Sequence, residues 1–394
     1  MASPAKRSEK IPYARHHIDA DDIAAVVDVL RSDWLTSGPV TAAFEQAIAE
    51  YCGSRFAVAL SSATAGLHAA CRSIGIGPGD CVWTSPNSFV ASATGALHCG
   101  ARIDFVDIDP RTYNISATEL ERKLVKAEAS GELPKALVVV HFGGQPCDLK
   151  AIAELGMTYG FRIIEDASHA LGATYCGERI GSCAYSDATV FSIHAIKSIA
   201  AGEGGVLVTN RQDVREIAAR FRDHGIQRHT SETEPWRYEQ IELGFNFRLT
   251  EMQAALAASQ LTKLPCFVAR RSMLAKRYTQ ALESLGLQLP YLDAERTSAW
   301  HLYPIQVLGD EPNVRRRELY FALTAAGIAA QVHYFPIHLQ PYFRQSGFRE
   351  GNFPAAERYY ESALSLPLYF DLTESEQNRV IDNVRSAISG PALH

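Results

Sequence analysis

One lysine, Lys197, lies between an apolar, strand-like run and a glycine-rich turn. Residues 187–193 and 204–210 have the composition of buried strands, so Lys197 falls on a short connection near the ends of two strands. Open α/β sheets bind ligands at this edge. A lysine amine that is partly removed from water has a lowered pKa and can attack a carbonyl to form a Schiff base. The alternative interpretation is an ordinary solvated loop lysine.

A second candidate site is the segment LSSATAG at residues 60–66, where a strand gives way to a helix. The first N–H groups of a helix are free, and the helix dipole favours an anion beside them. Small side chains at this helix start would let a phosphate group approach those donors. The alternative is a plain capped helix that binds nothing.

An acid and an aromatic ring follow two other strands. Asp166 comes directly after the strand-like residues 161–165, and a buried carboxylate needs a partner such as a protonated ring nitrogen. Phe89 ends the segment WTSPNSF at residues 83–89 and would place its ring over the same cleft. The alternatives are a helix N-cap for Asp166 and core packing for Phe89.

Together, a lysine, a buried acid, a phosphate-binding helix start and an aromatic ring are what pyridoxal 5'-phosphate (PLP) requires. The lysine holds the aldehyde and moves a proton, and the acid keeps the pyridine nitrogen protonated so that the ring accepts electrons. The sequence therefore predicts PLP as the cofactor. It predicts no metal site, because the eight cysteines include no Cys-x-x-Cys pair and no matching histidine cluster.

The elements that must position these residues alternate between strands and helices. Strand-length apolar runs occupy residues 56–60, 81–84, 103–107, 136–141, 161–165, 187–193 and 204–210. Helical patterns occupy residues 64–74, 89–98, 117–128 and 148–159, and two more helices are expected at about 19–30 and 40–51. This alternation predicts an α/β fold with right-handed βαβ units in a mainly parallel sheet of seven strands.

The later part of the chain is organised differently. An alanine-rich helix is expected to end at Pro265, and a second helix is expected over about residues 267–285. Short apolar strands such as residues 302–307 then accompany helices at about 313–326 and 373–388, which predicts a small α+β domain. We expect a flexible tail at residues 1–10, a large cofactor-binding domain with an N-terminal substrate segment at 11–265, and a small domain at 266–394.

The composition is that of a globular protein that binds small molecules. A chain of 394 residues, 47% of them hydrophobic, is long enough for one large domain and a smaller one. The net charge of -6 argues against nucleic-acid binding, which normally shows as clustered Lys and Arg. Without a membrane-length apolar run or a signal peptide, we expect the cytoplasm, where the cysteines stay reduced.

The motifs resemble those of the DegT/DnrJ/EryC1/StrS sugar aminotransferases along nearly the whole chain. They are SSAT at residues 61–64, EDASH at 165–169, SIHAIK at 192–197, GEGG at 202–205, GFNFR at 244–248 and QVHYFP at 331–336. The likeness is greatest to the PseC-type enzymes, through the HAIK and AQVHY stretches. The resemblance implies the PLP-dependent aspartate aminotransferase fold, type I, with its seven-stranded sheet and small C-terminal domain.

The resemblance also implies roles for residues around the cofactor. Lys197 would bind the cofactor covalently, and Asp166 would bind its pyridine nitrogen. Phe89 would stack on the ring, and His169 would lie by its hydroxyl side. The residues that would bind the phosphate are Ala63, Thr64 and Ser192.

Two further groups of residues are implied by the family. Asn246 would reach the phosphate of the cofactor in the neighbouring subunit, so that the active site would require a homodimer. The residues that match nucleotide-sugar contacts are Tyr13, Asp33, Trp34, Leu35, Thr36, Gln331, Val332, His333 and Tyr334.

The implied reaction moves the amino group of L-glutamate to C4 of a UDP-linked 4-keto-6-deoxy-N-acetylhexosamine. The product would be UDP-4-amino-4,6-dideoxy-N-acetyl-β-L-altrosamine, in pseudaminic acid biosynthesis. One alternative is a different nucleotide-linked 4-keto-6-deoxy sugar, of the UDP-bacillosamine or GDP-perosamine type. Others are dehydration chemistry, in which relatives carry histidine instead of the lysine, and a non-catalytic binding protein; the intact Lys197 argues against both.

Overall fold

The computed structural model describes residues 10–228 and 234–389 of the chain. Of the predicted tail, residues 1–10, only Lys10 lies within the described residues. The helices are α1 (Ala20–Arg31), α2 (Pro39–Cys52), α3 (Ala63–Ser73), α4 (Ala91–His98), α5 (Ala117–Ser130), α6 (Leu149–Tyr159), α7 (Gln212–Arg222), α8 (Glu251–Leu282), α9 (Pro312–Ala325), α10 (Pro341–Arg344), α11 (Pro354–Ser362) and α12 (Glu374–Ser389). The strands are β1 (Phe56–Leu60), β2 (Cys81–Thr84), β3 (Arg102–Phe105), β4 (Ala136–Val140), β5 (Arg162–Asp166), β6 (Thr174–Tyr175), β7 (Glu178–Arg179), β8 (Ala188–Ser192), β9 (Gly205–Thr209), β10 (Ile226–Arg228), β11 (Tyr238–Gln240), β12 (Leu287–Gln288), β13 (Arg296–Thr297), β14 (Tyr303–Val307) and β15 (Ala363–Leu366).

Seven strands form the main sheet, in the order β1-β9-β8-β5-β4-β2-β3. Neighbouring strands from β8 to β3 run parallel, whereas β9 is antiparallel to both β1 and β8. Every residue of β4, β8 and β9 is buried, as expected for a sheet covered by helices on both faces. The predicted α/β fold with a seven-stranded, mainly parallel sheet is confirmed.

Side-chain caps fix where the helices near the sheet begin. The side chain of Ser62 accepts the backbone N–H of Ala65 and so starts α3 directly after β1. Thr250 and Gln253 form a capping box at the start of α8. These caps place helix N-termini at the edge of the sheet where the strands end.

A smaller antiparallel sheet, β12-β14-β15, packs with α9, α12 and the second half of α8. Its core contains Tyr278, Tyr303 and Tyr369, each fully buried. The predicted combination of short strands and helices is therefore present in this part of the chain. Residue Ile11, near the start of the described chain, also joins this unit: its N–H donates to Gly327 O at 2.9 Å.

Helix α8 corrects one prediction, because it continues through Pro265 as a single helix of 32 residues. An interior proline removes one backbone hydrogen bond and costs about 3 kcal/mol. Leu261, Leu264 and Phe267 are all buried around it, and each such side chain contributes about 1.5–3 kcal/mol. Packing on both sides of the proline therefore outweighs its cost. The division into domains at residues 265 and 266 stays a prediction.

Strands β10 and β11 form a separate antiparallel pair, in which Ile226 pairs with Gln240. No helix within residues 10–228 and 234–389 is long and apolar enough to cross a membrane.

Candidate active site

The predicted cofactor residues meet where β5 and β8 end beside the start of α3. Asp166 is the last residue of β5, and Ser192 is the last residue of β8. Gly205, at the start of β9, pairs with Ser192 on one side and with Leu60 on the other. The structure therefore brings the lysine turn, the acid and the helix start to one edge of the sheet.

Lys197 lies in a tight turn between β8 and β9. Its backbone N–H donates to His194 O at 2.9 Å, and Ala201 N–H donates to Ile193 O at 2.8 Å, which closes the turn. The side chain is half-buried. Burial lowers the pKa of the amine to about 8, although the negative charge of Asp166 acts in the opposite direction. Near neutral pH a useful fraction of the amine is thus uncharged and nucleophilic.

Asp166 is 5% exposed, and both of its carboxylate oxygens are held by serines. Ser92 Oγ donates to Oδ2 at 2.6 Å, and Ser168 Oγ donates to Oδ1 at 2.6 Å. Ser168 N–H also donates to Oδ1 at 3.2 Å, so the carboxylate does cap a local turn as well. Each oxygen has two lone pairs, so the carboxylate can accept a further hydrogen bond from a ring N–H.

The start of α3 forms a cradle for an anion. Within the described chain, the N–H groups of Ala63 and Thr64 have no hydrogen-bond acceptor, as is usual in the first turn of a helix. A Cβ on Gly205 would lie 2.4 Å from Ala63 N, so only glycine allows β9 to approach this helix start so closely. Ser192 Oγ stands at the neighbouring strand end. These donors and the helix dipole suit a phosphate group, which is what PLP requires here.

Phe89 does not pack in the core, because 58% of its surface is exposed. The core-packing alternative is therefore wrong. Its ring centroid lies 6.2 Å from that of Tyr334, at an interplanar angle of 57°. The exposed face of Phe89 is thus available to a flat ligand ring at the mouth of the cleft.

His169 is buried and has a hydrogen-bond partner at each ring nitrogen. Gly143 N–H donates to Nδ1 at 3.3 Å, and Tyr334 Oη lies 3.3 Å from Nε2. Burial, with help from the charge of Lys197 and from His333, lowers its pKa well below the usual value. His169 therefore acts as a neutral ring in this cleft.

The candidate sugar-binding residues from the C-terminal part form one wall with Tyr13. The rings of Tyr13 and His333 are 5.7 Å apart, and His333 Nδ1 lies 2.9 Å from Ser365 Oγ. Gln331 is exposed and pairs through its backbone with Ser365. Val332 is partly buried and packs against the core of the small sheet.

Residues 33–36 lie apart from this cluster. Leu35 O accepts the N–H of Glu251, and Thr36 pairs with Thr250, so the segment rests on the start of α8. The side chains of Asp33, Leu35 and Thr36 are exposed. Trp34 borders an apolar groove of about 530 Å³ between α1, α2 and α8. Among the described residues, no hydrogen bond, ion pair or ring contact joins residues 33–36 to Lys197, Asp166 or the wall around Tyr334.

Asn246 is exposed and pairs through its backbone with Asp223. Its side chain makes no hydrogen bond to any residue in the described ranges. The segment around β11 presents several exposed apolar side chains, among them Trp236, Ile241 and Leu243. The structure therefore leaves Asn246 on a partly apolar surface and does not connect it to Lys197 of the same chain.

The sequence analysis missed three kinds of contributor. Ser92 Oγ donates to Asp166. The sequence feature that could have indicated this contact is the pair Ser88 and Ser92, four residues apart at a helix start. Gly205 was recognised only as part of a turn, because its close approach to α3 depends on a distant segment. His301 stacks on His169 with ring centroids 4.3 Å apart, and no local pattern around residue 301 indicates this.

The sheet, the lysine turn and the phosphate cradle together define a PLP-dependent aminotransferase with the type I fold. Residues 16–385 match the DegT/DnrJ/EryC1/StrS aminotransferase family, and the chain belongs to that family. It is therefore a sugar aminotransferase that depends on PLP.

Individual relatives cover almost the full length of the chain. SpsC of Bacillus subtilis, a spore coat polysaccharide biosynthesis protein, is 38% identical over 98% of this chain and 99% of its own. Helicobacter pylori PseC, an aminotransferase involved in pseudaminic acid biosynthesis, is 31% identical, with a TM-score of 0.87 over 96% of this chain and 99% of PseC. Spr1654 from Streptococcus pneumoniae is 27% identical over 96% of this chain, with a TM-score of 0.88 over 99% of Spr1654 for its PMP form and 0.87 over 98% for its PLP form.

Proposed function

We propose that the protein transfers the amino group of L-glutamate to C4 of a UDP-linked 4-keto-6-deoxy-N-acetylhexosamine. The product is UDP-4-amino-4,6-dideoxy-N-acetyl-β-L-altrosamine, and the pathway is pseudaminic acid biosynthesis. The observation that carries this proposal is the half-buried amine of Lys197, with a pKa of about 8, near the buried carboxylate of Asp166. The likeness to Helicobacter pylori PseC, at 31% identity, supports this choice of sugar.

Each residue of the cluster has a role in this proposal. Bound PLP supplies an electron sink for the amino-bearing carbon. Lys197 Nζ holds the cofactor and, once free, takes a proton from the α-carbon of glutamate and later gives one to C4 of the sugar. Asp166 accepts the N–H of the cofactor ring and keeps it protonated. Ala63 and Thr64 donate their N–H groups to the phosphate.

Binding of the sugar nucleotide is assigned to the wall next to Lys197. Tyr13, Gln331, His333 and Tyr334 present polar groups there, and burial raises the pKa of Tyr334, so that its hydroxyl stays protonated. Residues 33–36 are proposed to contact the nucleotide as well. Their exposure leaves them available for such a contact, although they lie apart from the cluster.

The proposal includes a homodimer with a shared active site. Asn246 is exposed close in sequence to the apolar segment around β11 and has no contact with its own chain's cluster. A second copy of the chain that covers this segment would bring Asn246 to the phosphate of the neighbouring cofactor. We place this assembly in the cytoplasm, where the eight cysteines, all free in the structure, would remain reduced.

A second candidate is amino transfer to another nucleotide-linked 4-keto sugar. The observation that favours it is the identity of 38% to SpsC over nearly the whole of both chains. SpsC is named for a polysaccharide of the spore coat. This candidate uses the same residues and differs only in the sugar that binds beside Tyr13 and His333.

The test is a reaction of the purified holoenzyme with L-glutamate and a panel of UDP-, GDP- and dTDP-linked 4-keto-6-deoxy sugars. The products are identified by mass spectrometry, and the configuration at C4 by NMR. We expect amination of the UDP-linked N-acetylhexosamine and no product with Lys197→Ala, while Lys126→Ala, at an exposed position, keeps full activity. Preferred amination of a GDP- or dTDP-linked sugar, or a UDP-linked product with a different configuration at C4, would establish the second candidate. Normal turnover by Lys197→Ala would refute the mechanism.

A further inference from the structure

A second histidine ring, His301, lies directly against His169. The ring centroids are 4.3 Å apart, and the interplanar angle is 32°. His301 is only 5% exposed, so the surrounding residues restrict the position of its ring. Tyr334 faces His169 as well, with the two rings nearly parallel at 17° and 6.3 Å apart. His169 is therefore enclosed by His301 and Tyr334.

The backbone around the two histidines is fitted closely. Leu302 N–H donates to Gly143 O at 3.1 Å, and Ala299 N–H donates to Gly144 O at 3.0 Å. A Cβ on Gly144, where φ is +102°, would lie 2.9 Å from His169 O and 3.0 Å from His301 N. The segment that carries His301 is thus fixed against the same turn whose Gly143 N–H donates to His169 Nδ1.

This arrangement selects one form of the His169 ring. Because Nδ1 accepts a hydrogen bond from Gly143, the proton of the neutral ring lies on Nε2 and points to Tyr334 Oη. The other titratable groups that face His169 are Lys197, His301 and His333, and Asp166 lies three residues before it on the same segment. Burial and the positive charge of Lys197 lower the pKa of His169 well below its usual value.

The His301 ring is also neutral. Its pKa is lowered well below the usual value by burial and by neighbours that include His169, Lys197, Arg271 and His333. Within the described residues, His301 Nδ1 is buried without a hydrogen-bond partner, and a charged ring would leave a donor unsatisfied there. Two neutral rings in contact leave no room for water between them.

We propose that His301 is a positioning residue: by stacking on His169 it keeps that ring dry, neutral and in a single tautomer beside Lys197. The proposal rests on the proposed placement of PLP at Lys197, because only there would the orientation of His169 affect the cofactor. His301 need not touch the cofactor or the substrate. Its effect passes through the position and the protonation of His169.

The test compares His301→Ala with His301→Phe in the holoenzyme. His301→Ala opens a space next to His169 that water can enter, and the pKa of His169 should return toward about 6.5. The visible absorption band of the bound cofactor, titrated from about pH 5.5 to pH 8.5, should then show a new ionisation in this range. The dissociation constant of PLP should rise by about tenfold, equivalent to about 1.4 kcal/mol.

His301→Phe keeps a stacked ring without ring nitrogens and should retain the wild-type titration and PLP affinity. His338→Ala is the matched control, because it removes another buried histidine, one that is paired with Glu357 outside this cleft. It should lower the melting temperature without changing the titration. If His301→Ala does not fold, His301→Gln removes the ring in the same way.

Two outcomes would overturn the proposal. One is a wild-type titration and PLP affinity in His301→Ala together with a lower melting temperature, which would mean that His301 only packs. The other is a His301→Phe variant that behaves like His301→Ala. Failure of the proposed function is recognised separately: the wild-type cofactor band would then not respond to L-glutamate, while its pH titration would still report on His301.

Discussion

Ser92 Oγ donates to Asp166 Oδ2 at 2.6 Å, and Ser88 Oγ lies 2.7 Å from Ser92 Oγ. Ser88 directly precedes Phe89 in the chain. This short series of hydrogen bonds therefore ties the acid on one side of the cleft to the aromatic ring on the other. A cofactor ring bound between them would be positioned with the help of hydroxyl groups that do not themselves take part in the transfer.

Ser92→Ala should slow the glutamate half-reaction by about 10- to 100-fold, because a hydrogen bond to a charged group contributes about 1.5–3 kcal/mol. Stopped-flow absorption of the holoenzyme after addition of L-glutamate measures this rate. Ser130→Ala, which removes a serine hydroxyl on the exposed end of α5, is the control and should react like the wild type. An unchanged rate in Ser92→Ala would show that Asp166 is held well enough by Ser168 alone.

Uptake of PLP by the apoprotein should depend on pH through the amine of Lys197. The pKa of this amine is lowered to about 8, so the protonated fraction falls as the pH rises through that value. Only the neutral amine attacks the aldehyde. The rate of covalent uptake, followed by absorption, should rise up to about pH 8 and then level off. A rate that kept rising toward pH 10.5, the ordinary value for lysine, would contradict the burial of this amine.

Gly205→Ala should weaken PLP binding by about tenfold or more, because overpacking of a fitted contact costs about 1–3 kcal/mol. The added Cβ would meet the backbone of Ser62 and Ala63 at about 2.4 Å and displace the helix start proposed to bind the phosphate. Gly77→Ala is a matched control, since a Cβ there would meet nothing within 4 Å. Equilibrium titration with PLP measures both. Equal affinities in the two variants would argue against a phosphate at the start of α3.

Mixed dimers should reveal whether Asn246 acts across subunits. A dimer of one Lys197→Ala chain and one Asn246→Ala chain contains a single site with both residues intact only if Asn246 serves the neighbouring chain. Such hybrids, prepared with two affinity tags, should show about half of the wild-type activity per dimer. Activity no higher than half that of the Asn246→Ala homodimer would place Asn246 in its own chain's site.

The sequence predicted the main sheet, and the position of Lys197 at the edge of that sheet, because the patterns that indicate them are local. Apolar runs of strand length mark β1 and β8, and the small residues after β1 mark the start of α3. Pro265 misled the prediction because its cost is offset by the packing of Leu261 and Phe267, which a local pattern does not show. Phe89 was ambiguous for the same reason: only the fold decides which aromatic rings remain exposed.

Contacts between distant segments could not be predicted from the sequence. Ser92 reaches Asp166 across 74 positions of the chain, and His301 reaches His169 because both pack on one glycine turn. The sequence did not indicate that residues 33–36 lie against the start of α8. They are held there by the hydrogen bond from Glu251 N–H to the carbonyl of Leu35. Long-range pairings of this kind depend on the completed fold.

The pairing of the N-terminal segment with the small sheet has a consequence for synthesis on the ribosome. Ile11 bonds to Gly327 and Ala329, and Tyr13 O accepts the N–H of Leu368. The strands of the main sheet have all been made once residue 209 has emerged, so a nascent chain can assemble its cofactor edge early. Tyr13, although translated among the first residues, reaches its place only after nearly the whole chain has been made. A chain truncated before residue 368 should therefore lack the hydrogen bond that holds Tyr13 in the proposed sugar-binding wall, even where its lysine turn is intact.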